Sequence, residues 1–498
     1  MAQQTSSKSV SVGLLLIGQF LNVGLLFIFT PWLARALSKA DYGTYGQVML
    51  VSDLLRNLAN TGLATVFSLY LARKQYPDAT IFRSFMALYI LLGLISMGAI
   101  LVISPVASIV FNNPHLGYLT ALYAFHLPLQ MAVNPICHTL IHYRHSKHYL
   151  GVSVLGTLIR LLAMLVAVQV YNTVEALIIS FYLVPLFQGI YGLATMPRHL
   201  LAKGASIEWS ILKPAWKQSF PLAITQTLSF CYILIAGQLI SWNYGTEVFA
   251  LFRNGIAELP LISYVYISVG TILLPDMAIM LQQNRIAEFI RLKRDIAAQT
   301  AALIYPVIAF LLVFAACFVP LYYGQKYIDS TPIFFIANLI LLFKITNYAD
   351  VLNLTNSASL ILRINWQVLL FNLLVSWVLI HYLNIQGGAL ALLLTNALLY
   401  LLLLRKSMQV IKQPLWATIP LRNIIKQALY YVVLALTIRL IAGKAAFSFL
   451  GFVASLFVYT LIVYLSAAKL GWLNVRYYYS FFAKIPLGKP LYNWLLKN

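Results

Sequence analysis

From Val12 to Ala34 the chain runs for twenty-three residues without one charged side chain. A helix needs about 20 apolar residues to cross the hydrocarbon core of a bilayer, so this run alone narrows what the chain can become. Lipid offers backbone groups no hydrogen bonds, which leaves helices or closed barrels, and unbroken apolar runs are helical. A secretory signal has an apolar region of about 7–15 residues. The longer run here is read as a retained first span, although Ala34-Arg35-Ala36 imitates a cleavage site.

Similar runs recur along the 498 residues, and spans are expected near 11–36, 47–72, 82–110, 116–141, 149–170 and 174–196. A second group is expected near 215–242, 247–274, 297–320, 331–354, 364–382 and 387–404, with two more near 423–441 and 446–466. The predicted class is an all-α polytopic membrane protein of about fourteen spans. Three regions are expected: a six-helix bundle over 1–204, a second over 205–410, and two further helices with an interfacial tail over 411–498. Composition agrees, with 9% charged residues and a mean hydropathy of +0.84, where soluble domains average about 25% charged. Amphipathic stretches at 281–295 ("LQQNRIAEFIRLKRD") and 469–498 suit the headgroup layer. Cys137, Cys231 and Cys317 all lie in apolar runs, which argues for packing rather than a disulfide framework.

Charge sets the orientation. Even-numbered links and both termini hold 25 of the 34 basic residues, whereas odd-numbered links hold Arg35, Lys39, Lys326 and Lys444. The positive-inside rule then puts both termini in the cytoplasm. The asymmetry explains most of the +22 net charge, so nucleic-acid binding is not needed to account for it.

Five basic residues remain inside spans: Arg56, Arg160, Arg253, Lys344 and Arg439. A charge at the bilayer centre costs about 2.5–3.5 kcal/mol on insertion scales, so these groups must face protein, water or one another. In the second span Asp53, Arg56, Asn57 and Asn60 form one helical stripe at i, i+3, i+4 and i+7. Span eight carries Arg253 and Glu258 before Pro260; span ten carries Lys344, Asn347 and Tyr348 at helical spacing, then Asp350, Asn353 and Asn356. Basic groups outnumber acids, which predicts a net positive cavity suited to phosphate or acidic sugar. Arg56, Arg253, Lys344, Asn57 and Asn60 are the substrate-binding candidates. Arg439 is expected to reach the outer interface and is left out, and for the same reason Arg160 is not assigned to either role. Asp53, Glu258 and Asp350 are the candidates for coupling to Na+ or H+, with no other cofactor expected. His126 is read as a core histidine in preference to a proton carrier. His138, His142, His145 and His148 approach metal-ligand spacing without a nearby carboxylate, and an interfacial basic cluster is preferred. No nucleotide-binding loop or nucleophile elbow occurs.

A weak internal repeat relates "LSKADYGTYGQVML" (37–50) to "ISWNYGTEVFALFR" (240–253). The stretch "ALSKADYGTYGQVMLVSDLLRNLANTGLATVFSLYLARK" resembles the opening of polysaccharide-biosynthesis flippases, with Asp41-Tyr42-Gly43 as its acid-aromatic-glycine turn and Gly62-Leu63 further on. These form the Wzx-like branch of the multidrug/oligosaccharidyl-lipid/polysaccharide (MOP) exporter superfamily. The resemblance implies two six-helix bundles opening alternately to either side of the membrane. It also implies passage of an undecaprenyl-diphosphate-linked glycan to the outer leaflet, with membrane lipids, a glycan polymerase and glycosyltransferases as partners. Relatives place basic residues on the second and eighth helices against the pyrophosphate, and Arg56 and Arg253 occupy matching places. Lipid-II flippases of the superfamily carry basic residues on the first helix, which residues 12–34 lack. The rivals are a cation-coupled multidrug exporter of the same fold, which should have an acid-dominated site, and a membrane glycan polymerase or ligase, which should have a large outer loop.

The orientation is open to test. A reporter active only in the cytoplasm, fused after Asn498, should give signal, and one requiring export should stay silent; the opposite pair of results would reverse the assignment.

Overall fold

The computed structural model describes residues 18, 21–60, 62–201, 206–258, 273–355 and 357–472. Among the described residues there are helices and turns and no strand. The chain forms two compact units, Met1–Ala250 and Leu251–Asn498.

The first unit contains α1 (Leu21–Ala36), α2 (Lys39–Asn60), α3 (Leu63–Arg73), α4 (Asp78–Val110), α5 (Leu116–Ala124) and α6 (His126–His142). It continues with α7 (Ser146–Tyr171, π-helical over 151–155 and 167–171), α8 (Val174–Ser180) and α9 (Leu183–Thr195). Most of α10 (Trp209–Gly255) also belongs here. Helix α2 starts where it does because Ser38 caps it. The Ser38 hydroxyl accepts the Asp41 N–H at 3.0 Å and donates to the Asp41 carboxylate at 2.6 Å, which satisfies one of the free N–H groups of the first turn. It ends before Gly62, whose φ of 81° lies in the left-handed region that glycine adopts without strain.

Residues up to Ala250 pack with the first unit. Ile211, Leu212 and Ala215 share a core with Phe67, Phe85, Met131 and Leu140. At the far end of α4, the Gln238 amide donates to the Val110 carbonyl at 3.1 Å and the Ser241 hydroxyl to the Phe111 carbonyl at 2.8 Å. These are orphan carbonyls of a helix C-terminus, and α10 caps them. Fully buried Gln47 completes the knot: it donates to Ser241 at 2.6 Å and accepts from Asn113 at 2.6 Å.

The second unit contains α11 (Leu273–Gln282), α12 (Ile286–Val313), α13 (Ala315–Tyr323), α14 (Thr331–Asn338, running on as a 3-10 turn to Phe343) and α15 (Asp350–Leu354). Then follow α16 (Ala358–Val410), α17 (Leu421–Ala442) and α18 (Phe449–Lys469). The Tyr459 hydroxyl ties α18 to α12 and α17 through the carbonyls of Pro306 and Tyr431 at 3.0 and 3.2 Å. Arg439 caps its own helix end, donating to the Gly443 carbonyl at 2.7 Å with its guanidinium 4.8 Å from the Phe447 ring.

Nine helices among the described residues are long and apolar enough to cross a membrane, and the chain is a multi-pass membrane protein. The fourth expected span is interrupted at Phe125. Those near 364–382 and 387–404 are two helical stretches of α16 separated at non-helical Asn384 (φ 53°, ψ −138°), and α10 likewise breaks at Gly245 (φ 83°, ψ 176°), between the spans expected near 215–242 and 247–274. Residues 259–272, with Pro260, lie outside the described residues, as do Asn356 and 473–498. One expectation needs correction. Residues 286–295 are not a separate amphipathic stretch; they are the opening turns of α12, and Lys293 there is buried.

Gly43 explains part of the Asp41-Tyr42-Gly43 turn. A side-chain carbon at this position would stand 2.3 Å from the Thr246 carbonyl oxygen. Gly43→Val should therefore destabilise the protein by about 1–3 kcal/mol, read as a lower unfolding midpoint in detergent; an unchanged midpoint would show that the backbones separate freely.

Candidate functional site

Two polar clusters occur at membrane depth, one in each unit. In the first, α2 turns Asp53 and Arg56 toward each other, with a guanidinium nitrogen 2.8 Å from the carboxylate. Their side chains keep 27% and 41% of their exposure, so this ion pair is not sealed into a dry seam. Asn57 is half-buried one residue on, and Asn60 accepts a hydrogen bond from the Asn134 amide of α6 at 3.1 Å. The predicted stripe is a real face of α2.

Three elements add to it. At the α5/α6 junction, His126 is buried and its ring lies 4.9 Å from Tyr123, 6.1 Å from Phe181 and 5.8 Å from Tyr182. Arg160 projects from the middle of α7. Arg56 and Arg160 both act electrostatically on His126 and on Tyr123, and on each other; Tyr45 of α2 joins the same group. Two guanidinium groups and one carboxylate leave one net positive charge. Among the described residues, Arg160 Nε and His126 Nδ1 are buried without a hydrogen-bond partner, an uncommon condition for buried polar atoms. Beside this cluster runs an apolar groove lined by Ile159, Leu162, Val166, Tyr171, Tyr182 and Leu183. Its wall is shared with the cluster, since Ile159 adjoins Arg160 and Tyr182 touches His126.

In the second unit, the span expected to run on past Phe343 instead breaks. Residues Lys344–Ala349 are non-helical between the 3-10 turn and α15. The predicted helical stripe of Lys344, Asn347 and Tyr348 is thus an unwound segment, a correction to the sequence reading. Several carbonyls at and beside it are met by side chains. The Tyr305 hydroxyl reaches Leu342, that of Tyr348 reaches Phe343, both at 2.8 Å, and Ser407 reaches Tyr348 at 2.7 Å. Irregular backbone survives at membrane depth only when protein satisfies it in this way. Lys344 pairs with Glu258 at 2.5 Å. Asp350, a predicted coupling acid, pairs at 2.8 Å with Lys293, both nearly fully buried. Arg253 is half-buried in the last turn of α10, next to buried Phe252 and Asn254.

The sequence thus named the acids but missed some of their partners. Lys293 sits among Arg291 and Arg294 and reads as one of an inner-face basic run, though only the lysine turns inward. Arg160 carried the one available signal, a lone charge at the centre of a span. Among the described residues, no three histidine, cysteine or acidic groups converge as metal ligands.

A family model described as polysaccharide biosynthesis protein matches residues 32–332, more than half of the chain. No curated protein matches the chain by sequence. Among solved structures, the lipid II flippase MurJ in an inward closed conformation is 13% identical, with 91% of this chain and 98% of that one covered and a TM-score of 0.67. The eukaryotic MATE transporter AtDTX14 is 12% identical over 86% and 99%, with a TM-score of 0.61. A MOP superfamily transporter from Pyrococcus furiosus, described as having a binding pocket of reverse polarity, is 14% identical over 82% and 95%, at 0.54. At these identities the likeness is one of fold.

The capping of the broken segment is testable. Ser407→Ala leaves the Tyr348 carbonyl without its donor and should cost about 1–3 kcal/mol; a midpoint equal to wild type in thermal unfolding would show that the break holds without it.

Proposed function

Because the chain belongs to the polysaccharide biosynthesis protein family of the MOP superfamily, we propose that this transporter is a flippase for an undecaprenyl-diphosphate-linked oligosaccharide. The cargo is the repeat unit of an O-antigen, capsule or exopolysaccharide. It is carried by alternating access from the inner to the outer leaflet of the bacterial inner membrane, with both termini in the cytoplasm. Glycosyltransferases supply it and a glycan polymerase consumes it.

The observation that carries this reading is the partly exposed Asp53–Arg56 ion pair on α2 together with Arg160 of α7, whose buried Nε has no hydrogen-bond partner among the described residues. A pyrophosphate entering hydrocarbon must exchange its water shell for fixed donors. Guanidinium groups supply paired N–H donors in the geometry a phosphate accepts. Asp53 holds Arg56 when no anion is bound and yields it to the incoming phosphate. The apolar groove along α7 offers the prenyl chain a path beside the same cluster. In the second unit Arg253 and Lys344 are the matching donors, Lys344 being held meanwhile by Glu258. The inclusion of a lipid II flippase among proteins of this fold supports a lipid-linked cargo. An acid-rich site, as a carrier of cationic drugs requires, is the opposite of this one.

With no nucleotide-binding motif, the drive comes from the membrane. An inside-negative potential favours outward movement of an anionic head by about 2.3 kcal/mol per charge per 100 mV. Proton or Na+ coupling, where it operates, falls to Asp53 or Glu258, whose carboxylates retain exposure.

Arg56→Ala and Arg160→Ala should each lower surface glycan in a strain dependent on this chain. Loss of a charge-assisted hydrogen bond costs about 1.5–3 kcal/mol, roughly ten- to a hundredfold, and Arg→Lys variants should fall between. Normal glycan export at normal protein levels in both alanine variants would defeat the proposal; altered drug susceptibility with intact glycan would favour the exporter reading.

A further inference from the structure

The break at Lys344–Ala349 leaves one arrangement that helix satisfaction alone does not require. Neutral hydroxyls suffice for the carbonyls of Leu342, Phe343 and Tyr348. The Asn347 carbonyl is treated differently: it and the Asp350 carboxylate both receive the Lys293 ammonium, each at 2.8 Å. The side chains of Lys293 and Asp350 retain only 5% exposure apiece. A carboxylate and a carbonyl turned sideways by an unwound membrane helix are the oxygen ligands with which such helices hold Na+ and similar ions. Here a singly charged ammonium occupies that position.

The lysine comes from the wrong place for an accidental contact. It lies in the third turn of α12, close to the inner-face residues Arg291 and Arg294, which are exposed. A lysine near a helix end ordinarily extends its stem toward the aqueous interface. Lys293 runs the other way and gives up its hydration. That cost is met by a carboxylate and a carbonyl already facing one point.

We propose that the Asn347 carbonyl and Asp350 form a monovalent-cation site that this chain fills in cis with the Lys293 ammonium. The second unit accordingly keeps its broken helix without a bound alkali ion, and Asp350 is not the acid that carries a coupling ion. The tethered cation stays with the protein through every conformation in which the contact holds.

The test uses the purified full-length protein and needs no glycan, so its outcome is independent of the transport reading. Thermal unfolding is compared at equal ionic strength in chloride salts of Na+, K+, methylammonium and N-methyl-D-glucamine. Wild type should unfold at one temperature in all four. Lys293→Ala should unfold several degrees lower in N-methyl-D-glucamine and recover most of that loss with K+, Na+ or methylammonium. Adding Asp350→Asn to Lys293→Ala should abolish the recovery. Lys293→Met, which keeps much of the stem, serves the same comparison if the alanine variant does not fold. The proposal is overturned if wild type already responds to Na+ or K+ through Asp350, if the lysine variants respond equally to all four salts, or if neither variant can be recovered in any of them.

Discussion

An apolar membrane interior gives a polar group no water to fall back on, and two departures from regular helix among the described residues carry a visible compensation. The carbonyls that end α4 are capped by Gln238 and Ser241. Those released where α14 gives way to α15 are met by Tyr305, Tyr348, Ser407 and Lys293. An unpaired backbone group in hydrocarbon costs several kcal/mol, so the polar residues scattered through the apolar runs are confined to places where backbone or charge demands them. This requirement, more than hydrophobic contact between helices, fixes where the irregular segments lie. Lipid tails are as apolar as the helix faces they cover, so apolar contact discriminates little among packings.

Fold class was legible for the same reason. A run such as 12–34 admits few structures, and most span positions follow from apolar length alone. Two of the breaks were not legible, because they lack the usual punctuation. Neither Phe125 nor Lys344–Ala349 includes a glycine or proline. Helical spacing of Lys344, Asn347 and Tyr348 imitates a polar stripe, while the backbone there follows another path. Only tertiary partners distant in sequence, Tyr305 and Ser407, make that path tolerable.

Among the site residues, the α2 stripe was readable because it is local: Asp53 and Arg56 are neighbours by helical geometry, whatever surrounds them. Lys293 was unreadable for the converse reason. Its identity as a buried group depends on Asp350, 57 residues away, and its sequence neighbours point to the membrane surface. Arg160 falls between these cases. Its position at mid-span marked it as costly, but its relation to His126 and Arg56 required the packing of α5 and α6 against α2 and α7. Charge counting by span identifies which residues need an explanation; it does not supply the partner.

On the function proposed above, the placement of Asp53 and Arg56 a single turn apart on α2 has a bearing on how an empty carrier resets. Swapping the carboxylate for an external anion takes only side-chain torsions, with no helix displaced. Once cargo departs, the acid can close on the guanidinium again within the timescale of rotamer hopping. On the proposed function, the return stroke then carries Asp53 closed on one guanidinium, so the electric field across the bilayer acts on one net charge of the cluster instead of two.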